Sequence, residues 1–312
     1  IGKIASAQAQ LIRSEDYSLI GSCSNESLSF FMNFSRLNDL RSINKYLIRV
    51  NKNLKDTGIL VCCSETHLLR KEMILQIYPR GLRLLVYSAD YFFRRLLPRL
   101  PGMRNICFAF TAGRNRALSH SEVLGRLYYC GYDILAYKNI HNLGYFIARK
   151  NAAPIAEHSP TYGPLICLKR IAKEGRIINV YKFRTMHPYS EFIQELVYHQ
   201  NNLKTGGKFN NDFRITTLGK ILRRFWLDEL PMMVNLIRGD IKLVGVRPLS
   251  KHYLDLYDES FREQRTKYKP GLIPPFCVDM PGNLDEIQAS EKKYLEAYDK
   301  HPLRTDVWYF FA

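Results

Sequence analysis

The segment that constrains the fold most is residues 218–250, LGKILRRFWLDELPMMVNLIRGDIKLVGVRPLS, because its apolar residues recur at helical spacing. One apolar face of a helix is predicted where four residues fall at i, i+3, i+4 and i+7: Leu230, Met233, Val234 and Ile237. Pro231 is tolerated in the first turn of such a helix, since its missing N–H would have no partner there. Gly239 predicts the end of the helix.

A second, shorter helix is predicted immediately upstream. Thr216 or Thr217 can cap it, because a threonine hydroxyl accepts a hydrogen bond from the free backbone N–H groups of a first turn. Its buried stripe is predicted from four apolar residues: Leu218, Ile221, Leu222 and Phe225. Arg223 and Arg224 project from the other side of that stripe.

Two adjacent acids, Asp228 and Glu229, follow Arg223 and Arg224 closely. Carboxylates beside guanidinium groups are typical of a site that handles phosphate through a nucleophilic acid and a metal ion. The alternative interpretation is two surface ion pairs on ordinary helices, because acids are common in first turns. The spacing of these residues does not by itself separate the two interpretations.

Further motifs stand around the acids in a defined order: KRIAKEGRIINVYKFRTM at residues 169–186, NDFRITTLGKILRR at 211–224, GDIKLVGVRPLS at 239–250 and KYKPG at 267–271. In this order and spacing the chain from residue 163 onward resembles the bacterial sugar transferases, the monotopic polyprenyl-phosphate phosphoglycosyl transferases. The resemblance implies transfer of a sugar-1-phosphate from a UDP-sugar to a polyprenyl (usually undecaprenyl) phosphate, with release of UMP. This would be the first step of a surface polysaccharide or glycoconjugate pathway, with Mg²⁺ as the expected cofactor.

The resemblance also implies roles for individual residues. Asp228 is expected to attack the β-phosphorus and to hold the phosphosugar as an acyl phosphate, and Glu229 to help bind Mg²⁺ across the diphosphate. Five cations are expected to contact the anionic substrates: Arg223, Arg247, Lys182, Arg184 and Arg214. These residue types fit the chemistry, because phosphoryl transfer depends on charge neutralisation and a carboxylate needs no activating base at neutral pH.

Three of these cations have a second interpretation. Lys182 and Arg184 alternate with aromatic residues, a pattern that also fits a plain strand with one solvent-exposed face. Arg214 stands two residues after Asp212, so the two can simply pair with each other.

The chain departs from the family pattern in three places. The usual GPRP reads GVRP at residues 245–248, and the usual tryptophan-containing segment is replaced by LIPPF at 272–276. In the family a long apolar membrane helix precedes the Gly-Pro pair that corresponds to residues 163–164. Here that place holds YFIARKNAAPIAEHSPTY, which is too polar and too interrupted by proline to enter a bilayer core. We therefore expect a membrane anchor that has moved or has been lost.

The first half has an α/β pattern. The predicted elements are a helix over residues 37–54, buried strands at 57–65 and 105–113, a helix over 119–130, and two strands over 131–150 with a turn at Asn142. DLRSINKYLIRVNKNLKDTGILV and LSHSEVLGRLYYCGYDILAYKNI resemble the C-terminal half of a class I methyltransferase, a Rossmann-type fold. The glycine-rich loop that holds S-adenosylmethionine in that family is not found, so a degenerate or truncated domain is expected.

Two domains follow from these patterns. Residues 1–150 are predicted to form the methyltransferase-like α/β domain, residues 151–164 a linker, and residues 165–312 a mixed α+β, helix-rich phosphoglycosyl transferase domain. The seven scattered cysteines predict neither a disulfide framework nor a zinc site, which is typical of a reducing compartment.

The net charge of +17 is concentrated in the first half, where 22 Lys and Arg residues stand against 10 Asp and Glu. This excess predicts an anionic partner. Residues 80–104, RGLRLLVYSADYFFRRLLPRLPGMR, have the composition of an interfacial membrane segment, and the alternative is an ordinary basic helix followed by a loop. No run of 18 apolar residues appears, so association with an anionic membrane surface at the cytoplasmic face of the inner membrane is expected without a spanning helix in this chain.

Two other functions remain open at this stage. One is a catalytically silent scaffold that retains the transferase core. The other is a basic protein that binds an anionic partner such as nucleic acid. No nucleic-acid recognition motif is found, so we expect no nucleic-acid partner.

Overall fold

The computed structural model describes residues 9–12, 26–100, 102–155, 162–201 and 212–312. The chain divides into two compact units. Unit 1 takes the chain up to Gly163 together with His187–Leu196, and unit 2 takes Pro164–Met186 and Val197–Ala312. The predicted domain boundaries at residues 150 and 165 stay predictions, and the sequence patterns did not predict that His187–Leu196 belongs to unit 1.

Unit 1 is built on a five-stranded mixed sheet with the order β1-β2-β3-β5-β4. Its strands are β1 (Ala9–Ile12), β2 (Leu28–Arg36), β3 (Leu54–Ser64), β4 (Tyr132–Ile140) and β5 (Leu143–Lys150). The first three are parallel, and β5 runs antiparallel between β3 and β4. The β4–β5 hairpin turns at residues 141–142, so the predicted turn at Asn142 is confirmed, as is the α/β class of the first half.

The helices of unit 1 are α1 (Ile43–Asn53), α2 (His67–Ile77), α3 (Arg83–Tyr91), α4 (Met103–Thr111) and α5 (His120–Tyr129). A π-helical turn, Phe92–Leu96, and 3-10 turns at Leu37–Asp39, Leu97–Arg99 and Ser190–Ile193 complete its described helical segments. The predicted helix over 119–130 is confirmed, with the Ser119 hydroxyl accepting the Glu122 N–H as its cap. The core lies between α1, α5 and the sheet, where Leu47, Val50 and Leu127 are fully buried.

The predicted strand at residues 105–113 is wrong, because this apolar run forms α4. None of its residues is buried, and Ile106 and Phe110 are 51% and 87% exposed. A short apolar run cannot be assigned to a strand or a helix by periodicity, and here Gly102, with φ of 78°, starts a helix.

His187–Leu196 joins unit 1 through backbone-to-backbone packing on α5. A Cβ added to Gly125 would lie 2.2 Å from the carbonyl oxygen of Tyr189, so only glycine permits this approach. The Tyr189 hydroxyl is 2.7 Å from Asn44 Nδ2 and 3.1 Å from Arg126 Nη1. His187 is buried and lies 3.0 Å from Arg95 Nη2. A segment inside the sugar-transferase resemblance is therefore held by the first unit.

Charged side chains form a continuous chain of ion pairs where β2 and β3 end. The six members are Arg36, Asp39, Glu65, Arg70, Asp90 and Arg94, joined by N–O distances of 2.7 to 3.1 Å. Carboxyl ends of parallel strands are the usual ligand edge of such sheets. In unit 1 that edge is occupied by the protein's own paired charges.

Unit 2 contains two small sheets and many short helices, which confirms the mixed α+β, helix-rich prediction. Its strands are β6 (Leu165–Ile171) and β7 (Ile177–Phe183), which are antiparallel, and β8 (Lys242–Val244) and β9 (Gly271–Ile273), which are parallel. Helix α6 (Gln194–Asn201) begins in unit 1 and continues into unit 2. The other helices are α7 (Thr217–Arg224), α8 (Met233–Ile237), α9 (Lys251–Leu254), α10 (Glu259–Thr266), α11 (Phe276–Asp279), α12 (Leu284–Lys300) and α13 (Pro302–Phe311), with 3-10 turns at Lys173–Gly175 and Leu227–Met232.

The larger core of unit 2 packs α12 and α13 against β8 and the following loop, with Val244, Tyr294 and Leu295 at 0 to 2% exposure. Within the described residues, none of the helices is both long and apolar enough to cross a membrane.

Candidate functional site

Asp228 and Glu229 lie in the first turn of the 3-10 helix Leu227–Met232, directly after α7. The Thr216 hydroxyl accepts the Gly219 N–H at 2.8 Å, which confirms Thr216 as the cap of α7. Trp226 then adopts a left-handed conformation with φ of 56°, and its carbonyl accepts the Glu229 N–H at 3.2 Å. A non-glycine residue in this conformation is held by its surroundings, so the chain reverses sharply just before the two acids.

The Glu229 carboxylate contacts two of the cations that were predicted to bind phosphate. Its Oε1 lies 2.5 Å from Lys182 Nζ and 3.5 Å from Arg247 Nη2. Lys182 shares the inward face of β7 with Ile178 and Val180, and its side chain is 14% exposed. The solvent-exposed-face interpretation of Lys182 is therefore wrong. Burial lowers the pKa of Lys182, Glu229 opposes this shift, and Arg247 adds to it.

Asp228 is half-buried, and no residue that the structure describes donates a hydrogen bond to its carboxylate. Arg223, five residues before it, donates from Nε to the Thr185 hydroxyl at 2.9 Å. Burial lowers the pKa of Arg223, while the negative charge of Asp228 opposes that shift. The same charge opposes the lowered pKa of Lys182. The structure thus brings Asp228, Glu229, Arg223, Lys182 and Arg247 into one electrostatic cluster.

The two remaining predicted cations are placed differently. Arg214 is 3% exposed, and its Nε and Nη2 each lie 2.8 Å from an oxygen of Asp212, so the alternative of mutual pairing is what the structure contains. Burial would raise the pKa of Asp212, but the Arg214 pairing lowers it. Arg184 follows β7 and donates its backbone N–H to the Pro164 carbonyl at 2.7 Å. A phosphate-binding role for its side chain stays a prediction.

The predicted buried stripe of α7 is wrong, because its side chains face outward. Leu218, Ile221 and Phe225 are 60%, 49% and 63% exposed. The helix packs instead through Gly219, where an added Cβ would lie 1.9 Å from the Thr185 carbonyl oxygen. An apolar stripe cannot face inward when the glycine edge of the same helix makes the close contact.

The apolar face of the following helix is also exposed. The helix itself is confirmed, and Gly239, with φ of 73°, follows its end as predicted. Its inward side carries Met232 and Leu236, which pack in a small apolar cluster with Ile178 and Val180. It also carries a polar contact: Asn235, 0% exposed, donates to the Asn179 carbonyl at 2.7 Å and accepts the Tyr181 N–H at 3.2 Å. Nine large apolar side chains around the two acids are consequently 38 to 83% exposed. They form what we name the apolar face: Leu218, Ile221, Phe225, Trp226, Leu227, Leu230, Met233, Val234 and Ile237.

Sequence reasoning missed three residues that build the site. Thr185 orients Arg223, and Asn235 fixes α8 on β7. Phe276, from the replaced LIPPF segment, places its ring 5.8 Å from the Arg247 guanidinium. A single polar residue inside an apolar helical run was the only available signal for Asn235, and the departure from the family pattern was the only signal for Phe276.

The comparisons with known proteins agree on the second half. The family described as "Bacterial sugar transferase" matches residues 150–311. The galactosyl transferase CpsE of Streptococcus agalactiae is 33% identical over 44% of this chain and 31% of its own length. The exopolysaccharide production protein ExoY of Sinorhizobium fredii is 36% identical over 33% of this chain and 48% of its own. The undecaprenyl-phosphate galactose phosphotransferase of Salmonella typhimurium is 34% identical over 38% of this chain and 25% of its own length. The chain spans less than half the length of these relatives.

Solved structures match with low similarity. A SAM-dependent methyltransferase from Methanosarcina mazei gives a TM-score of 0.27 at 14% identity, over 42% of this chain and 62% of that one. A protein from Bordetella parapertussis described as a "possible exported protein" gives a TM-score of 0.28 at 16% identity, over 44% of this chain and 43% of that one. A likeness of this size assigns no function to unit 1. The family match, in contrast, extends over more than half of the chain and includes all five residues of the cluster around Asp228. The protein belongs to the bacterial sugar transferase family.

Proposed function

We propose that the protein transfers a sugar-1-phosphate from a UDP-sugar to a polyprenyl phosphate, such as undecaprenyl phosphate, through a covalent intermediate on Asp228. The observation that carries this proposal is an acid without a described hydrogen-bond donor, five residues after Arg223 and adjacent to Glu229, whose carboxylate contacts Lys182 and Arg247. A paired carboxylate would be a poor nucleophile, and an acid without nearby cations would repel a diphosphate.

In the first step, an Asp228 oxygen attacks the β-phosphorus of the UDP-sugar. The bond between that phosphorus and the oxygen bridging to the α-phosphorus breaks, and UMP leaves with the bond's electron pair. Arg223 and Arg247 stabilise the charge that develops on the phosphate oxygens, because guanidinium groups match phosphate geometry. Lys182, held on the inner face of β7, supplies a third positive charge at a fixed position.

In the second step, a phosphate oxygen of the polyprenyl phosphate attacks the phosphorus of the acyl phosphate. The bond between phosphorus and the Asp228 oxygen breaks, which regenerates the carboxylate and leaves a polyprenyl diphosphate sugar. Both steps use the same cations, so a single site serves donor and acceptor in turn.

Glu229 fits the expected metal role in part. Its Oε1 is engaged by Lys182 and Arg247, and its Oε2 has no partner among the residues that the structure describes. In the described part of the chain, no group of three or more His, Cys, Asp or Glu side chains is arranged to hold a metal ion. Mg²⁺ commonly uses one or two carboxylates plus substrate phosphates, and when bound it would neutralise diphosphate charge.

We expect chelation with EDTA to stop turnover and added Mg²⁺ to restore it. Full activity in excess chelator would rule out a role for the metal.

The apolar face supports the membrane half of the proposal. It surrounds Asp228 and Glu229, and four cations lie in the same stretch of chain: Lys220, Arg223, Arg224 and Arg238. Exposed Phe225 and Trp226 suit the boundary between headgroups and acyl chains. We propose that this face rests on the membrane, which brings the site to an acceptor whose tail is confined to the bilayer.

Unit 1 offers a second membrane contact within the segment predicted from sequence. Leu84, Leu85 and Phe93 are 61 to 68% exposed, and Phe92 and Leu96 are 43% and 39% exposed, whereas Leu97 is half-buried and less exposed than these. The only acid of that segment, Asp90, is paired with Arg70 and Arg94. Contact with anionic headgroups at the cytoplasmic face of the inner membrane is part of the proposal, at about 1 kcal/mol for each cation near the surface.

The test is UMP release from a panel of UDP-sugars, with and without undecaprenyl phosphate in anionic vesicles. We expect one donor to give sustained UMP release that depends on the acceptor. No UMP from any donor, with the protein folded and bound to vesicles, would favour the catalytically silent scaffold.

A further inference from the structure

The loop that carries Arg247 is bound by a second arginine from inside unit 2. Arg265, in the last turn of α10, donates a hydrogen bond from Nη2 to the backbone carbonyl of Arg247. Arg265 is 3% exposed, so this contact is made away from solvent. A buried guanidinium therefore acts on the main chain of a residue whose own guanidinium lies at the site.

Glu291 of α12 fixes the direction of Arg265. Its two oxygens lie 2.7 Å from Arg265 Nε and 3.2 Å from Nη2, and it is 0% exposed. A two-point carboxylate contact holds the guanidinium plane in one orientation. Glu291 therefore neutralises the charge of Arg265 and also directs its Nη2 towards the Arg247 carbonyl.

The rest of the loop is fixed by glycine contacts. The Gly271 N–H donates to the Val246 carbonyl at 2.9 Å, and the Gly245 N–H donates to the Ile273 carbonyl at 3.0 Å. A Cβ added to Gly271 would lie 2.1 Å from the Gly245 nitrogen, so the two strands approach backbone to backbone. These contacts fix the backbone of the loop as far as Val246. The hydrogen bond from Arg265 fixes the next residue, Arg247.

A buried ion pair of this kind is weak evidence for stability. Two charges lose hydration on burial, and a well-packed apolar pair of similar volume is often as stable. The Arg265–Glu291 pair therefore needs a reason beyond packing, and its contact with Arg247 supplies one.

We propose that Arg265, oriented by Glu291, is a positioning residue for Arg247. It holds the Arg247 backbone so that the guanidinium lies between Glu229, at 3.5 Å, and the ring of Phe276, where it can bind a nucleoside diphosphate. The inference rests on the proposed function, because it assigns Arg247 to the diphosphate.

The experiment measures binding of UDP with Mg²⁺ by calorimetry, since UDP carries the diphosphate without requiring the sugar to be known. The test variant replaces both partners, Arg265→Met with Glu291→Leu, so that no buried charge is left unpaired. Arg262→Met is the matched control, because Arg262 lies on the same helix and pairs only with exposed Asp255 and Glu259 among the residues described.

We expect both the wild type and the double variant to unfold cooperatively, and the double variant to bind UDP about tenfold more weakly. In an Arg247→Ala background the same double change should alter UDP binding by less than about twofold, because residues that act through one another are not additive. The control should bind as the wild type does.

The possible outcomes are distinguishable. Equal UDP affinity in wild type and folded double variant overturns the positioning role, and so does an undiminished effect in the Arg247→Ala background. Wild-type protein that does not bind UDP at all contradicts the proposed function instead. If the double variant does not unfold cooperatively, Arg265→Lys keeps the buried cation without the planar fork, and unchanged UDP affinity in that variant overturns the inference.

Discussion

Two carboxylate sites, one in each unit, have opposite surroundings. In unit 1, Glu122 is 0% exposed and lies within 2.9 to 3.9 Å of three guanidinium groups, those of Arg95, Arg99 and Arg126. In unit 2, Glu229 is 23% exposed and its neighbour Asp228 is half-buried without a described donor. A carboxylate enclosed by its own ion-pair partners specifies structure. A partly exposed carboxylate beside cations can still react with a charged ligand.

The largest expected effect is the loss of UMP release on substitution of the partly exposed Asp228. Asp228→Asn should lower UMP release by about a thousandfold or more, because an amide cannot form the acyl phosphate, while circular dichroism stays unchanged. Asp90→Asn, in the ion-pair chain of unit 1, is the matched control and should keep its activity per folded molecule. Turnover of Asp228→Asn within about tenfold of wild type would remove the nucleophile assignment.

Glu122→Gln should affect stability rather than chemistry. It leaves the buried Arg95 and Arg126 and the partly buried Arg99 without their carboxylate, which we expect to cost about 3 kcal/mol or more in urea unfolding. Glu174→Gln, an exposed carboxylate in unit 2, should change stability by less than about 1 kcal/mol. An unchanged unfolding midpoint in Glu122→Gln would mean that the cluster is not a structural network.

The same cluster predicts a dependence of stability on pH. Burial alone would raise the pKa of Glu122, but Arg126, Arg99 and Arg95 lower it to about 2 from an ordinary value of 4.5. The group therefore contributes stability above about pH 4.5, and the contribution is lost as the pH falls towards 2. Urea unfolding of wild type and Glu122→Gln across this range should converge at the acid end; a constant difference would contradict the assignment.

A smaller effect is expected from loosening His187–Leu196, a segment of the family region that packs in unit 1. Gly125→Val should displace Tyr189, because an added Cβ meets the Tyr189 carbonyl at 2.2 Å. We expect a lower unfolding temperature and faster proteolysis around residues 187–196. Gly81→Val, where an added Cβ meets no atom within 4 Å, is the control. Equal protease resistance in the two variants would show that the segment is not held by α5.

The apolar face should govern vesicle binding more weakly than the site governs turnover. Phe225→Ser with Trp226→Ser should reduce binding to phosphatidylglycerol-containing vesicles by about tenfold, since two large side chains lose their burial in lipid. Met280→Ser, 82% exposed elsewhere in unit 2, is the control. Binding that responds equally to both changes, or not at all, would place the membrane contact elsewhere.

The smallest expected signal is from S-adenosylmethionine. The edge where β2 and β3 end is filled by paired charges from Arg36 to Arg94, and no glycine-rich loop was found in the first half. Calorimetry should show no binding. A micromolar dissociation constant would make the protein bifunctional and contradict the expected degeneracy of the first half.

Local signals were predictable from the sequence, and contacts between distant residues were not. The Thr216 cap, the Gly239 end and the turn at Asn142 follow from chemistry within a few residues. The outward direction of the α7 stripe depends on Gly219 meeting Thr185, which lies more than thirty residues away. The inward direction of Lys182 depends in the same way on Glu229.

The assignment of chemistry to Asp228 is tested most directly by looking for the covalent intermediate. Wild-type protein is mixed with the reactive UDP-sugar in the absence of polyprenyl phosphate, and the intact mass and peptide masses are measured. We expect a mass increase equal to one sugar phosphate on the peptide containing Asp228, which disappears when undecaprenyl phosphate is added. UMP formation only when both substrates are present, with no modified peptide, would mean direct transfer between substrates and would contradict a covalent intermediate on Asp228.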